Sequence, residues 1–250
     1  MSIEPQYFTA RDGVRLAWRE MGDGAPLVLL HGLFSNAEVN WIKFGTAARV
    51  AREGRRLILP DLRAHGSSAA PHEAEYYPSD ILVRDLQDLA AHLGLGDFDL
   101  GGFSLGARTS VRAVVSGMRP RRLILGGMGL AGLAGWKRRG DFFRRVIADY
   151  DSAKRGDDTW MSIQFMKTMK IDRIAAGHLL DSFTDTPPEA LAAVTMPTLV
   201  VCGDKDEDNG SAADLAAHLP DARLATIPGT HMSSVTEPAL GEAIAAFLAA

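Results

Sequence analysis

Phe98-Asp99-Leu100-Gly101-Gly102-Phe103-Ser104-Leu105-Gly106-Ala107 carries an apolar, glycine-bearing run into a helical pattern, with a serine at the junction. Gly102-Phe103-Ser104-Leu105-Gly106 within it matches G-x-S-x-G. After a strand and before a helix, that pattern reads as a tight turn presenting the serine hydroxyl at a helix N-terminus, where the dipole favours developing negative charge. Small residues on both sides let strand and helix approach closely. The competing role for a serine at this place is an ordinary N-cap. The partners found elsewhere in the chain decide between the two.

Outward from this corner, short apolar runs alternate with helix-length amphipathic segments. Residues 14–19, 26–31, 56–60, 98–103, 121–125, 198–202 and 222–227 read as strands. Leu27-Val28-Leu29-Leu30 and Thr198-Leu199-Val200-Val201 are almost continuously hydrophobic, as expected of strands covered on both faces. Residues 79–93, entered through Ser79-Asp80 as a cap, read as a helix, as do 104–118, 211–219 and 238–248. The alternation predicts an α/β fold: a mostly parallel central sheet with helices on both faces and right-handed crossovers. The two earliest strands lie close in sequence and are expected to pair antiparallel at the start of the sheet.

Residues 128–195 break this rhythm. They show no strand pattern, and Met161, Phe165, Met166 and Met169 fall on one helical face. Thr186-Pro187-Pro188 and Met196-Pro197 mark the return to strand. The segment reads as a helical cap over the carboxyl edge of the sheet, with 1–127 and 196–250 forming the core. Its basic clusters, Lys137-Arg138-Arg139 and Arg144-Arg145, are offset by Asp141, Asp149, Asp151, Asp157 and Asp158, a solvated mixed-charge surface.

The chain of 250 residues carries 27 Lys and Arg against 31 Asp and Glu, a net charge of −4. That balance lacks the basic footprint of a nucleic-acid binder. The single cysteine, Cys202, excludes an internal disulfide framework and a Cys-based zinc site. No apolar run approaches the roughly 18 residues of a membrane span, and the first residues lack the apolar stretch of a signal peptide. The expectation is a cytoplasmic protein, monomeric or homodimeric, without nucleic-acid or membrane partners.

A serine nucleophile needs a base within hydrogen-bond reach. Of the seven histidines, His231 follows the last strand in Pro228-Gly229-Thr230-His231-Met232, at the sheet edge where ligands gather in doubly wound folds. His72, His92, His178 and His218 have no such setting and read as surface or satisfied core. An acid must orient the imidazole. Gly203-Asp204-Lys205-Asp206-Glu207-Asp208 after the strand at 198–202 offers three aspartates, between which spacing does not choose. The order Ser104, aspartate, His231 follows one known triad architecture.

These residues resemble the α/β-hydrolase fold superfamily in its small esterase and haloperoxidase-like branch. His31-Gly32-Leu33-Phe34 is similar to the oxyanion-hole loop of that family. Asp61-Leu62-Arg63-Ala64-His65-Gly66-Ser67-Ser68 is similar to its D-x-R-G-H-G-x-S turn, with alanine at 64 in place of glycine. The resemblance implies Asp206 as the acid and the backbone N–H groups of Leu33 and Leu105 as the oxyanion hole. His31 and His65 become structural turn residues. Members with an aspartate nucleophile, dehalogenases and epoxide hydrolases among them, are disfavoured by Ser104. The loop after His31 lacks the glycine-rich form associated with bulky tertiary-alcohol esters.

The implied chemistry is acyl transfer to water on a small to medium apolar ester, with no metal and no cofactor. The same triad also serves carbon–carbon bond hydrolases, perhydrolases and lyases, and a ligand-sensing hydrolase homologue can retain it. Phe34, Trp136, Trp160, Met161, Phe165 and Met232 are the expected pocket residues. The alternative for each cap residue is that it packs the cap onto the sheet.

Overall fold

Leu27-Val28-Leu29-Leu30 shows how the core is divided. Leu27 and Leu29 join one apolar cluster, while Val28 and Leu30 join the other. Successive side chains of a strand point to opposite faces, so a continuous hydrophobic run means a sheet buried on both sides. The computed structural model describes residues 3–250, without the side chains of Lys137 and Arg138. Its sheet holds β1 (Gln6–Thr9), β2 (Arg15–Met21), β3 (Ala25–Leu30), β4 (Arg55–Asp61), β5 (Asp99–Phe103), β6 (Leu123–Gly126), β7 (Thr198–Gly203) and β8 (Ala222–Ile227). The order is β1-β2-β4-β3-β5-β6-β7-β8. β1 and β2 run antiparallel to their neighbours and the remaining pairs are parallel.

The antiparallel start therefore differs from expectation. β2 and β3 do not pair: β4 lies between them, with Ala17 opposite Asp61. The link from β2 to β3 crosses the beginning of β4 so tightly that a Cβ on Gly22 would lie 2.5 Å from the Arg55 carbonyl. A Cβ on Gly24 would lie 2.3 Å from that of Gly54. Both glycines take positive φ, 77° and 105°, which they adopt at no steric cost.

The helices of the core are α1 (Thr46–Ala51), α2 (Ile81–His92) and α3 (Leu105–Val115) in its first half. Asp80 precedes α2 in a left-handed conformation without a side-chain capping bond, contrary to the cap expected there. Its carboxylate instead accepts from Arg112 of α3 at 2.5 Å. Between β6 and β7 lie α4 (Leu130–Ala134), α5 (Trp136–Ala148), α6 (Trp160–Met169), α7 (Arg173–Asp181) and a 3-10 turn, Pro188–Ala193. Asp172 caps α7 through the N–H groups of Ile174 and Ala175. This segment has an apolar cluster of its own around Val146, Ile163, Met166 and Ile171. The chain closes with α8 (Ala212–His218), capped by Ser211, and α9 (Pro238–Ala249).

α3 reaches the sheet only because Gly106 has no side chain. A Cβ there would sit 2.1 Å from the carbonyl oxygen of Leu30, a backbone atom of the next strand that cannot step aside. Overpacking of this kind typically costs about 1–3 kcal/mol and more where backbone must move. Gly106→Ala is expected to lose about 3 kcal/mol or more in urea unfolding. An unchanged midpoint would contradict the helix–strand contact.

Candidate active site

β5 ends at Phe103, and Ser104 turns the chain into α3 with φ 53° and ψ −110°. A non-glycine residue in that region is strained and is held there by its surroundings. The Ser104 N–H donates to the Gly126 carbonyl of β6 at 2.8 Å. Its side chain makes no capping bond to α3. The hydroxyl instead lies 3.0 Å from His231 Nε2, which removes the N-cap alternative.

His231 follows β8, and its Nδ1 lies 2.8 Å from Asp206 Oδ2. The carboxylate needs the proton on Nδ1, leaving Nε2 to accept from the Ser104 O–H. The aspartate side chain is 1% exposed and the imidazole 11%, so the pair lies away from bulk water. Burial pushes the Asp206 carboxyl up. The hydrogen bond and charge of His231, the Asp208 N–H and the Cys202 thiol outweigh that and hold it below the usual carboxylate range. Cys202 itself, at the end of β7, is pushed up to about 12 by burial and by Asp206 and is no nucleophile.

The three aspartates left open by spacing are separated by their partners. Asp204 accepts the Gly229 N–H at 2.8 Å and ties the two loops together. Asp208 is exposed, and its N–H donates to Asp206 Oδ1 at 3.2 Å. Asp206 alone meets the imidazole.

Leu33 and Leu105 border the same cleft as Ser104. Leu105 opens α3, so its N–H has no partner within the helix. The loop bearing Leu33 is fixed by Asn40, which sequence reasoning missed, and by His65, which the resemblance implied as a structural turn residue. Asn40, buried in a π-helical turn (Glu38–Ile42), accepts the Gly32 N–H at 2.9 Å. Phe34 takes φ 60° and donates its N–H to His65 Nε2 at 2.9 Å.

His31 and His65 form the frame beneath this loop. His31 Nε2 accepts the Leu62 N–H at 2.9 Å, and its Nδ1 faces the Gly32 carbonyl at 2.8 Å. The Nδ1 of His65 likewise faces the Arg63 carbonyl at 2.9 Å. A ring nitrogen that accepts an N–H cannot carry a proton, so both imidazoles are neutral Nδ1–H tautomers. Burial pushes His31 down, and burial with the neighbouring His31 pushes His65 down to about 3. Asp61 anchors the same frame through the N–H groups of Ala37 and Ser67 and the Arg19 guanidinium, at 2.8–2.9 Å. Ala64, where the turn motif has glycine, sits at φ 65°, a left-handed conformation costing about 1–2 kcal/mol.

The neutral histidines have a consequence for acid stability. An unfolded histidine titrates near 6.5, while folded His65 resists protonation to about 3. The unfolded state therefore binds the extra proton as pH drops below about 6.5, and stability falls by up to about 1.4 kcal/mol per pH unit for each such group. Urea unfolding between pH 7 and pH 5 is expected to show a net fall from the two rings, offset in part by Asp85, whose buried carboxyl is pushed up to about 6 and takes up a proton in the fold over the same range. A flat profile would mean that these rings accept protons in the fold.

The other histidines lie elsewhere. His92 packs against Phe8 and Trp18, His178 lies beside Tyr77, His218 bonds the Asp214 carbonyl, and His72 pairs with Asp172.

The cleft above Ser104 has a mixed lining. Met128, Trp136 and Phe143 supply its apolar wall, and Arg108, Arg139 and Asn209 its polar one. Of the expected pocket residues, Trp136 is in place. Phe34 is buried instead in the apolar cluster around Val146, Ile163 and Met166, 5.6 Å from Phe143 and edge-on to it. Phe165 packs against that cluster too. Met161 is 70% exposed and Met232 56%, and Trp160 is half-buried without bordering the cleft. On α6 the buried face is centred on Ile163 and Met166, which turns Met161 outward.

Three of the cleft's polar residues tie elements together. Arg108, in the second turn of α3, donates to the carbonyls of Gly132, Leu133 and Thr184 and to Asp185, at 2.6–2.9 Å. Asn209 donates to the Gly127 carbonyl at 2.7 Å. Arg139, in the basic cluster expected to be a solvated surface, reaches the Asp208 carbonyl.

Comparison with known proteins agrees with this geometry. Residues 97–108, which hold the elbow, fall inside the match of residues 27–244 to the model of the alpha/beta hydrolase family. Bifunctional epoxide hydrolase 2 of Sus scrofa is 35% identical over 89 residues, 36% of this chain and 16% of that protein. The sn-1-specific diacylglycerol lipase ABHD11 of Danio rerio is 35% identical over 97 residues, 38% of this chain and 28% of that one. The chain thus matches well under half the length of these relatives. An esterase from Exiguobacterium antarcticum superposes with a TM-score of 0.81 at 19% identity, covering 99% of this chain and all of the other. With the strand order, the strained serine corner and a family match running from within β3 through β8, the chain belongs to the alpha/beta hydrolase family.

Proposed function

We propose that the protein is a serine hydrolase that cleaves small to medium carboxylic esters through an acyl-enzyme. The observation that carries this reading is the chain Asp206–His231–Ser104, linked at 2.8 and 3.0 Å beside a cleft. His231 Nε2 takes the Ser104 proton as the hydroxyl oxygen attacks the ester carbonyl. The carbonyl oxygen becomes an oxyanion between the N–H groups of Leu33 and Leu105, a donor arrangement worth about 3–4 kcal/mol per donor. The protonated imidazole then gives its proton to the departing alkoxide, leaving an ester on Ser104. Water attacks that ester with the same histidine as base, and the carboxylic acid leaves. Asp206 stays ionised and holds the imidazole in the tautomer that points Nε2 at the serine.

Among the relatives matched in part are epoxide hydrolases as well as a lipase. A serine at position 104 favours acyl transfer, because ester chemistry needs a nucleophile whose adduct water can clear through one histidine.

A serine-directed fluorophosphonate followed by peptide mass spectrometry tests the reading. One adduct on Ser104, together with turnover of p-nitrophenyl acetate or butyrate, is the expected result. Labelling elsewhere, or neither labelling nor turnover, would overturn it.

A further inference from the structure

Hydrolysis sorts the groups around an ester carbon by direction. In the tetrahedral adduct on Ser104 the oxyanion faces the Leu33 and Leu105 N–H groups, and the departing oxygen faces His231 Nε2, which hands it a proton. The acyl chain takes the one direction left. The cleft borders Ser104, Leu33 and Leu105, while neither His231 nor Met232 is among the described residues that line it. It therefore lies on the acyl side. On the alcohol side the loop bearing His231 meets solvent, with Thr230 exposed and Met232 56% exposed.

The acyl side is nearly full. The space that the lining leaves, ≈ 20 Å³, is on the scale of one ordered water. Trp136 is the best-anchored part of that lining. Its backbone N–H donates to Asp185 at 2.8 Å and its indole N–H to the Leu180 carbonyl at 3.2 Å. Phe183 packs edge-on against the indole at 4.7 Å, and Phe143 lies nearly parallel to it at 6.1 Å. The Arg108 guanidinium, itself fixed by carbonyls of Gly132, Leu133 and Thr184, sits 5.4 Å from the same ring. A ring held by two hydrogen bonds and two aromatic neighbours does not step aside, and methylenes forced against it strain the packing. We propose that Trp136 closes the acyl pocket and limits it to an acetyl group, so that the preferred substrates are acetate esters of larger alcohols. This rests on the serine-hydrolase reading of Ser104, and it gives the ester one confined side and one open one.

The test uses hexyl acetate and ethyl hexanoate, isomers that differ only in which side of the ester carries the chain. Wild-type kcat/KM, followed by titrating the acid released, is expected to favour hexyl acetate about tenfold or more, the scale on which a filled apolar pocket discriminates. In Trp136→Ala the ratio is expected to fall about tenfold, because ethyl hexanoate gains. In Trp136→Phe, which keeps a ring, it stays near the wild-type value. Met128 belongs to the main core cluster and borders the same cleft. Met128→Ala widens the cleft from the sheet side and is expected to lower the ratio in the same direction, which carries the test where loss of the indole unfolds the chain. A purely structural role for Trp136 would lower both esters together and leave the ratio unmoved, which overturns the proposal. A wild-type preference for ethyl hexanoate would make the cleft the alcohol pocket, and it overturns the proposal, as do equal rates. In each of these cases the serine-hydrolase reading stands. Turnover of neither ester also overturns the proposal, and the absence of a fluorophosphonate adduct on Ser104 would then remove the reading beneath it.

Discussion

Ser104→Ala is expected to lower ester kcat by about 10⁴- to 10⁶-fold, since removing a triad nucleophile removes the covalent route as a whole. What survives is the contribution of binding and of the oxyanion donors, neither of which needs the hydroxyl. The fold should be untouched. The Ser104 side chain makes one hydrogen bond, to His231, and the corner is held by its backbone, through the N–H to the Gly126 carbonyl and the carbonyl to the Arg108 N–H. Alanine keeps that backbone and its φ of 53°, so an unchanged unfolding midpoint should accompany the lost activity. A variant that keeps more than a few per cent of turnover would remove Ser104 from the reaction.

The serine corner was legible because its chemistry and its fold use the same local signal. A tight strand-to-helix turn needs small neighbours, and Gly102 and Gly106 are visible as letters. Their reason shows only in space: a Cβ on Gly102 would lie 2.3 Å from the Gly106 carbonyl carbon. The buried strands were legible from unbroken apolar runs. β1 was not, since only Phe8 of its four residues is buried and a single inward residue carries no period. The pairing of β2 was hidden for a different reason. Nearness in sequence favoured β3, while the crossing enforced by Gly22 and Gly24 put β4 between them. On α6, Met161, Phe165 and Met169 recur every four residues, while Ile163 and Met166 lie three apart. Only packing against Val146 and Ile171 selects the second. Arg139 was obscured by its neighbours, since a run of basic residues reads as surface whichever of them turns inward.

Asp206→Asn should cost about 10⁴-fold in kcat, while Asp204→Asn and Asp208→Asn should each cost less than tenfold. The three changes are chemically identical and fall within five residues, so the contrast reads geometry alone. At 206 the carboxylate accepts from His231 Nδ1 at 2.8 Å. An amide there can turn its NH₂ toward the ring, which then accepts at Nδ1 and carries its proton on Nε2, facing Ser104 with no lone pair to take the hydroxyl proton. At 204 the side chain only accepts the Gly229 N–H, which an asparagine oxygen does equally well. At 208 the group that reaches the triad is the backbone N–H on Asp206 Oδ1, and asparagine retains it. A larger loss at 204 than at 206 would move the acid's role to the residue that now joins the loops. Equal losses at all three would mean that the loop acts through its net charge, because only a field summed over the aspartates is blind to which of them meets the imidazole.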